Sequence, residues 1–264
     1  MMNAPDAPDA AALLLSLDGC HNFRAVAGWQ GRNRGKLRAG RLFRSDGLDQ
    51  LSDADQAQVA GLGIGHVLDL RASAEIERSP SRWPDGMKPR IWAGAESAAE
   101  ADITSLMQRD GLDAGDFHAA MCAVYSRFPQ DLADAVRALS VAVLDDEAGA
   151  TLVHCTAGKD RTGFAIAMLL HAIGIARDDV MADYLLSNAC FETARVRFDA
   201  GGRLTAIEAR APGAVAALVG VHPDYLHAAE HRIEQDFGSI DAWLERCTGL
   251  SGQRRTLLTE RLLD

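Results

Sequence analysis

The sequence has no C-x-x-C pair, and its five cysteines (Cys20, Cys122, Cys155, Cys190, Cys247) are an odd number without paired spacing. Neither a disulfide framework nor a cysteine-based zinc cluster is therefore expected, and the cysteines fit a reducing compartment. A long apolar run is missing too. The stretch Phe164–Ala176 has 13 residues and includes His171, well short of the ~20 needed to span a bilayer. The N-terminus is acidic where a secretory leader carries positive charge, so residues 1–10 read as a flexible lead-in to one domain over 11–264. A cytoplasmic location follows, with export that uses no leader left open. Positive charge is in deficit: 27 Lys and Arg face 37 Asp and Glu, a net charge of −10. A field of that sign weighs against nucleic acid and anionic membranes as general partners, though one small basic pocket is compatible with it. Aromatics make up only 6% of the chain.

What remains is an ordinary globular composition, 48% hydrophobic and 24% charged. From Ala12 to Arg44, the apolar runs Leu13–Leu17 and Leu37–Phe43 flank turn-forming glycines and predict a hairpin. Ser52 is a helix N-cap, with Asp53 and Asp55 in the first turn and an end near Gly61 and Gly63. His66–Leu70 and Thr151–His154 read as short buried strands. Between them, Ser97–Leu144 is helical in pattern, with breaks predicted near Gly111, Gly115 and Pro129. Thr162–Ile173 is a helix apolar on nearly every face, as in the middle of a domain. Residues from Arg177 onward are helical, interrupted at Gly201-Gly202, Pro212-Gly213 and Pro223. The fold class is α/β: a mainly parallel central sheet flanked by helices, with a helical C-terminal third.

One segment carries chemistry. His154-Cys155-Thr156-Ala157-Gly158-Lys159-Asp160-Arg161-Thr162-Gly163 lies between a buried strand and a buried helix. In that setting the backbone N–H groups from Thr156 to Arg161 can converge on a tetrahedral anion, aided by the positive end of the helix. Gly158 allows a conformation closed to other residues. Arg161 can fold back on two anion oxygens, and the same field favours the thiolate of Cys155. Thr162 can donate its hydroxyl to the sulfur. His, Cys, Gly and Arg at these spacings coincide by chance in roughly one protein of this size in several thousand. A Walker-type nucleotide loop is excluded, because Asp160 follows Lys159 where Ser or Thr is needed and residue 153 is Val rather than Gly.

At these residues the chain resembles the protein tyrosine phosphatase superfamily, and within it the bacterial tyrosine phosphatases whose loop reads H-C-x-x-G-K-D-R-T-G. Asn22-Phe23-Arg24, Leu42-Phe43-Arg44-Ser45, Leu68-Asp69-Leu70-Arg71 with Glu75, Asp183-Tyr184-Leu185-Leu186-Ser187-Asn188 and Phe237-Gly238-Ser239 continue the likeness over about residues 17–260. One departure is visible: Ala25 and Ala27 stand where that group has Asp and Gly after N-F-R.

The resemblance implies hydrolysis of phosphotyrosine through a phosphocysteine on Cys155, with activity on phosphoserine, phosphothreonine or phosphoinositides in view. Arg161 and the loop residues Thr156, Ala157, Gly158, Lys159 and Asp160 would hold the phosphate, with no metal or other cofactor. Arg44, Arg71, Asp69, His154 and Thr162 would support the loop, His154 as a hydrogen-bonded buried ring. Three carboxyls compete as general acid: Asp160 in the loop, Asp85 in Trp83-Pro84-Asp85, and Asp69, which could instead orient Arg161. Lys159 suits substrates with extra phosphates, or else is a solvated lysine. Residues 190–221 suit a helical lid or two further core helices, and Asp116–Phe128 a second pocket wall. The alternatives are a dedicated phosphoinositide or inositol-phosphate phosphatase, and a catalytically silent phosphoprotein-binding module. The oligomeric state is unspecified.

Overall fold

Thr151–His154 lies at the centre of a five-stranded sheet as part of β5 (Ala150–His154). β5 is flanked by β2 (Leu42–Ser45) and β3 (Ile64–Asp69), with β1 (Arg24–Ala25) and β4 (Arg90–Ala93) outermost, in the order β1-β2-β5-β3-β4. All pairings are parallel except β1 with β2. The computed structural model describes residues 8–32, 34–94, 99–145, 147 and 149–264. The first seven residues of the lead-in and Ser97 lie outside them.

Alternation along the strands feeds two cores. Phe43, Val67 and Leu152 join one apolar cluster with Phe23, Leu48 and Val59, while Leu42, Leu68 and Val153 join the larger helical one. This is the period-two consequence of a pleated strand covered on both faces. The parallel strands end side by side, with Ser45 and Asp69 both in register with His154. The segments that leave them therefore gather at one sheet edge, where α/β proteins place ligands.

The helices follow their local signals. After the short α1 (Ala10–Leu13), α2 (Asp53–Ala60) begins at Ser52, whose hydroxyl accepts from the Asp55 N–H in a capping box. α3 (Ser73–Arg78) follows β3. α4 (Ala99–Met107), α5 (Ala114–Tyr125), α6 (Phe128–Asp131) and α7 (Ala133–Leu144) fill the stretch before β5. α8 (Asp160–Ala172) is buried almost throughout, with Phe164 to Leu170 fully enclosed. α9 (Arg177–Leu185), α10 (Phe191–Phe198), α11 (Arg203–Arg210), α12 (Ala214–Val219), α13 (Pro223–Phe237), α14 (Ile240–Thr248) and α15 (Gly252–Leu262) complete the helical C-terminal third.

Three details differ from the sequence expectations. The hairpin pairs Arg24–Ala25 with Leu42–Ser45, while Leu13–Leu17 contributes only an isolated bridge, Leu14 with Arg24. Gly115 does not break a helix: Asp113 and Asp116 form a capping box around it, so it sits in the first turn of α5. β4 has no counterpart in the sequence reading, because it is an edge strand whose residues are largely exposed and carry no buried alternation.

Candidate active site

The segment from Cys155 to Lys159 turns from the end of β5 into α8 at the bottom of a cavity of about 260 Å³. Cys155, Thr156, Ala157, Lys159, Asp160 and Arg161 line one side of it. Gly158 has φ +66°, and a Cβ there would lie 2.4 Å from the backbone of Ser45. The loop can thus pass against the end of β2 only with glycine. Gly158→Ala is expected to cost at least about 1–3 kcal/mol through forced left-handed backbone, read as a lower urea midpoint; an unchanged midpoint would refute that packing. Gly163 serves another contact, since a Cβ there would lie 2.9 Å from the Tyr184 ring.

Among the described residues, no protein acceptor takes the backbone N–H of Thr156, Ala157, Gly158 or Lys159. The loop's carbonyls, by contrast, are tied down. Asn22 Nδ2 donates to Ala157 O and Gly158 O at 3.1 Å each, and Arg44 Nη2 donates to Gly158 O at 3.0 Å. Arg44 is itself paired with Asp183 at 2.8 Å, both fully buried. With its carbonyls held outward, the loop leaves its N–H groups free for an anion. The substitutions at Ala25 and Ala27 leave the first loop ordered, because Asp46 accepts from the backbone N–H groups of His21 and Asn22 at 3.1 Å and from Cys20 Sγ at 2.6 Å.

Arg161 is clamped by Glu75. Its Nη1 and Nη2 donate to the two carboxylate oxygens at 2.5 and 2.7 Å, and Nη1 also donates to Leu70 O at 3.0 Å. Glu75 further accepts the Ala72 N–H at 2.8 Å and the Thr156 hydroxyl. Burial would raise this carboxyl, but the Arg161 guanidinium outweighs it and brings the pKa down to about 2. Asp69 does not orient Arg161. Both its oxygens receive Arg71, at 2.8 and 2.7 Å, and Arg71 goes on to Ser79 O and Ser81.

His154 also departs from expectation. Its buried ring lies 3.5 Å from Asp69, yet neither nitrogen has a hydrogen-bond partner among the described residues, and burial lowers its pKa. Desolvation disfavours the charged imidazole there and outweighs the Asp69 carboxylate beside it. The Thr162 hydroxyl is likewise buried without a partner, so no bond to the Cys155 sulfur is formed.

Asp160 faces the cavity with two donors on one oxygen: Tyr125 Oη and Lys159 Nζ, each at 2.8 Å. Tyr184 Oη donates to Tyr125 Oη at 2.8 Å, forming a buried relay. Burial, and then the Asp160 charge, raise the Tyr125 hydroxyl well above the usual phenol range, so it remains a donor. Lys159 is not solvated: it is buried, and its Nζ also donates to Gly220 O at 3.2 Å. Asp85 is exposed in the turn after Pro84 and is not among the cavity's lining residues.

The opposite wall is apolar, made by Ile103 and Met107 of α4, Leu204 of α11, and Leu218 and Val219 of α12, with Arg203 beside them. Residues from the stretch 190–221 thus wall the cavity, whereas Asp116–Phe128 does not line it and reaches the site through Tyr125. Sequence reasoning missed the Tyr125–Tyr184 relay and the Glu75 clamp. Glu75 had a signal, as N3 of a helix directly after the D-L-R strand; Tyr125 had none.

The chain matches the tyrosine phosphatase family over residues 15–264. It is 36% identical over 267 residues to the triple specificity protein phosphatase PtpB of Mycobacterium tuberculosis, covering 89% of this chain and 94% of the relative. A Cupriavidus necator protein named "putative tyrosine-protein phosphatase" is 34% identical over 248 residues, covering 91% of this chain and 87% of the relative. The solved P. aeruginosa TpbA bound to phosphotyrosine aligns with 86% of this chain and 98% of its own at 16% identity, with a TM-score of 0.35. A match that spans nearly the whole chain, together with full-length relatives above one-third identity, places this protein in the tyrosine phosphatase family.

Proposed function

We propose that the protein hydrolyses phosphotyrosine through a phosphocysteine on Cys155 and also accepts phosphoserine, phosphothreonine and phosphoinositides. The observation that carries this reading is the placement of Cys155 beside a run of backbone N–H groups with no protein acceptor, next to a clamped arginine. In the first step the Cys155 thiolate attacks phosphorus, the ester P–O bond breaks, and the leaving oxygen takes a proton from Asp160. Arg161 and the loop amides from Thr156 to Arg161 hold the equatorial oxygens. Water then attacks phosphorus and gives its proton back to Asp160; the S–P bond breaks, and phosphate and thiolate are released.

Asp160 is favoured as the acid because it alone of the three candidates lines the cavity without an arginine on both oxygens. The apolar wall suits an aromatic leaving group. Lys159 and Arg203, on the same cavity, suit further phosphates, and the triple specificity in the name of the mycobacterial relative agrees with a broad range. Residues 190–221 act as a cover in this reading, and five cysteines outside any disulfide fit a reducing cytoplasm.

A hydrolysis panel of phosphotyrosine, phosphoserine and phosphothreonine peptides and phosphoinositides tests the reading. Phosphotyrosine peptides are expected to be turned over fastest. Asp160→Asn should slow poor leaving groups by about 100-fold, spare good ones and remove the basic limb of the pH–rate profile. An unchanged profile would return the acid to Asp69 or Asp85, and exclusive turnover of phosphoinositides would replace this reading with a lipid phosphatase.

A further inference from the structure

We infer a second, non-catalytic site, for a divalent zinc-class ion, formed by His118, His222 and Asp224 where α5 meets the start of α13. His118 Nε2 lies 3.1 Å from Asp224 Oδ2, and His222 Nδ1 lies 3.3 Å from the same oxygen. One donor atom from each residue falls within 4.8 Å of the others. Ligands at ~2.0–2.2 Å around a tetrahedral ion stand about 3.3–3.6 Å apart. Two of the three separations are therefore already at or just inside coordination spacing.

The chemistry of the donors points the same way. Two neutral imidazoles and one carboxylate form a set suited to zinc, with a net charge of −1 to meet a dication. The imidazole planes stand at 79° with centroids 4.7 Å apart, an edge-to-face contact that holds both rings beside Asp224. All three residues reach solvent: His118 is 34% exposed, His222 51% and Asp224 56%, leaving room for entry and for a water ligand. Cys122 lies one helical turn beyond His118 on α5, outside the three-residue cluster.

Without an ion, the cluster has a local role. Asp224 Oδ2 pairs with His118 Nε2, and His222 Nδ1 caps α13 by accepting the Asp224 N–H at 3.2 Å. Binding would exchange that N–H for the ion and leave the amide to water, as first-turn helix amides commonly are.

The location gives the ion leverage. His118 and His222 pack on Tyr225 at 5.0 and 5.9 Å, Tyr225 packs on Tyr125 at 5.6 Å, and Tyr125 donates to Asp160. His222 also directly follows the segment held by Lys159 at Gly220 O and by Asn188 at Val221. An ion here would pin that end of the cavity wall to α5.

Zinc titration of the full chain carrying Cys155→Ser, which removes the nucleophilic thiol as a competing ligand, tests the site by calorimetry and thermal unfolding. Stoichiometric micromolar binding, a rise in Tm over the EDTA-treated protein, and at least tenfold weaker affinity in His118→Ala and His222→Ala are expected. Cobalt should give the visible d–d bands of a tetrahedral site in the unsubstituted cluster and lose them in Asp224→Asn, a variant that keeps the side-chain volume. Binding unaffected by all three substitutions, or no binding at micromolar zinc, would overturn the site. Because these readouts report metal affinity rather than turnover, they stand or fall apart from the phosphatase reading.

Discussion

Cys155→Ser is expected to lose phosphotyrosine hydrolysis by at least ~10⁴-fold, the scale on which removal of a covalent nucleophile acts, while still binding inorganic phosphate. The two halves have separate causes. A serine hydroxyl stays protonated near neutral pH unless a base sits beside it. Among the described residues, no histidine or carboxylate hydrogen-bonds the side chain at position 155, and His154 directs neither ring nitrogen to a partner. The anion site, by contrast, is built from backbone N–H groups and Arg161, which the substitution leaves alone. Near-isosteric replacement of a side chain only 2% exposed also leaves the packing intact. Burst-phase kinetics and phosphate affinity on one preparation measure both. Equal hydrolysis by variant and wild type would sink the covalent mechanism, and phosphate binding without turnover in the wild type would establish the silent binding module.

Glu75→Ala is expected to be the most damaging substitution that leaves the nucleophile in place. Glu75 receives both Arg161 nitrogens, the Thr156 hydroxyl and the Ala72 N–H, with its side chain 2% exposed. Removing one partner of a buried pair strands the other charge, at a cost of about 3–5 kcal/mol. The same change frees the guanidinium that must meet the phosphate oxygens, and misplacing such a group by about 1 Å costs on the order of 100-fold in rate. Urea unfolding and kcat on one substrate would report both.

A pH dependence follows from the same carboxyl. Its folded-state pKa, about 2, lies below its ordinary value of 4.5. Its contribution to stability is therefore fully present above about pH 4.5 and is lost as pH falls toward 2. Glu75→Gln should flatten that part of the acid limb, leaving the share of Asp69, Asp55 and Glu230, whose pKa values are also lowered. An acid limb identical in wild type and variant would show that Glu75 titrates normally in the folded protein.

The readable parts of this molecule share one property: their causes are local. The strand through Leu152 and Val153 shows as a short apolar run, α2 as a serine cap with acids behind it, and the nucleophile loop as a string of residues whose roles depend on one another within one turn. Buried on both faces, β5 and α8 carry dense apolar signals. β4 carries none, because an exposed edge strand need not alternate. Gly115 looked like a break because glycine ranks low in helices, yet the capping box of Asp113 and Asp116 around it outweighs that preference.

From its sequence alone, this protein has an α/β core, a cysteine between strand and helix, an arginine six residues later and a family likeness along nearly its whole length. Only the tertiary structure decided which carboxylate meets which cation. Asp69 and Glu75 are six residues apart and both lie near the loop, yet Asp69 holds Arg71 while Glu75, lifted by the first turn of α3, holds Arg161 across 86 residues. The same holds for Tyr125 on Asp160, 35 residues away, and for His118 on Asp224, 106 away. Caps, turns and periodicities are set by neighbours along the chain. A buried ion pair or a shared carboxylate exists only once packing has brought distant segments within about 3 Å, and a one-dimensional pattern holds no record of that distance.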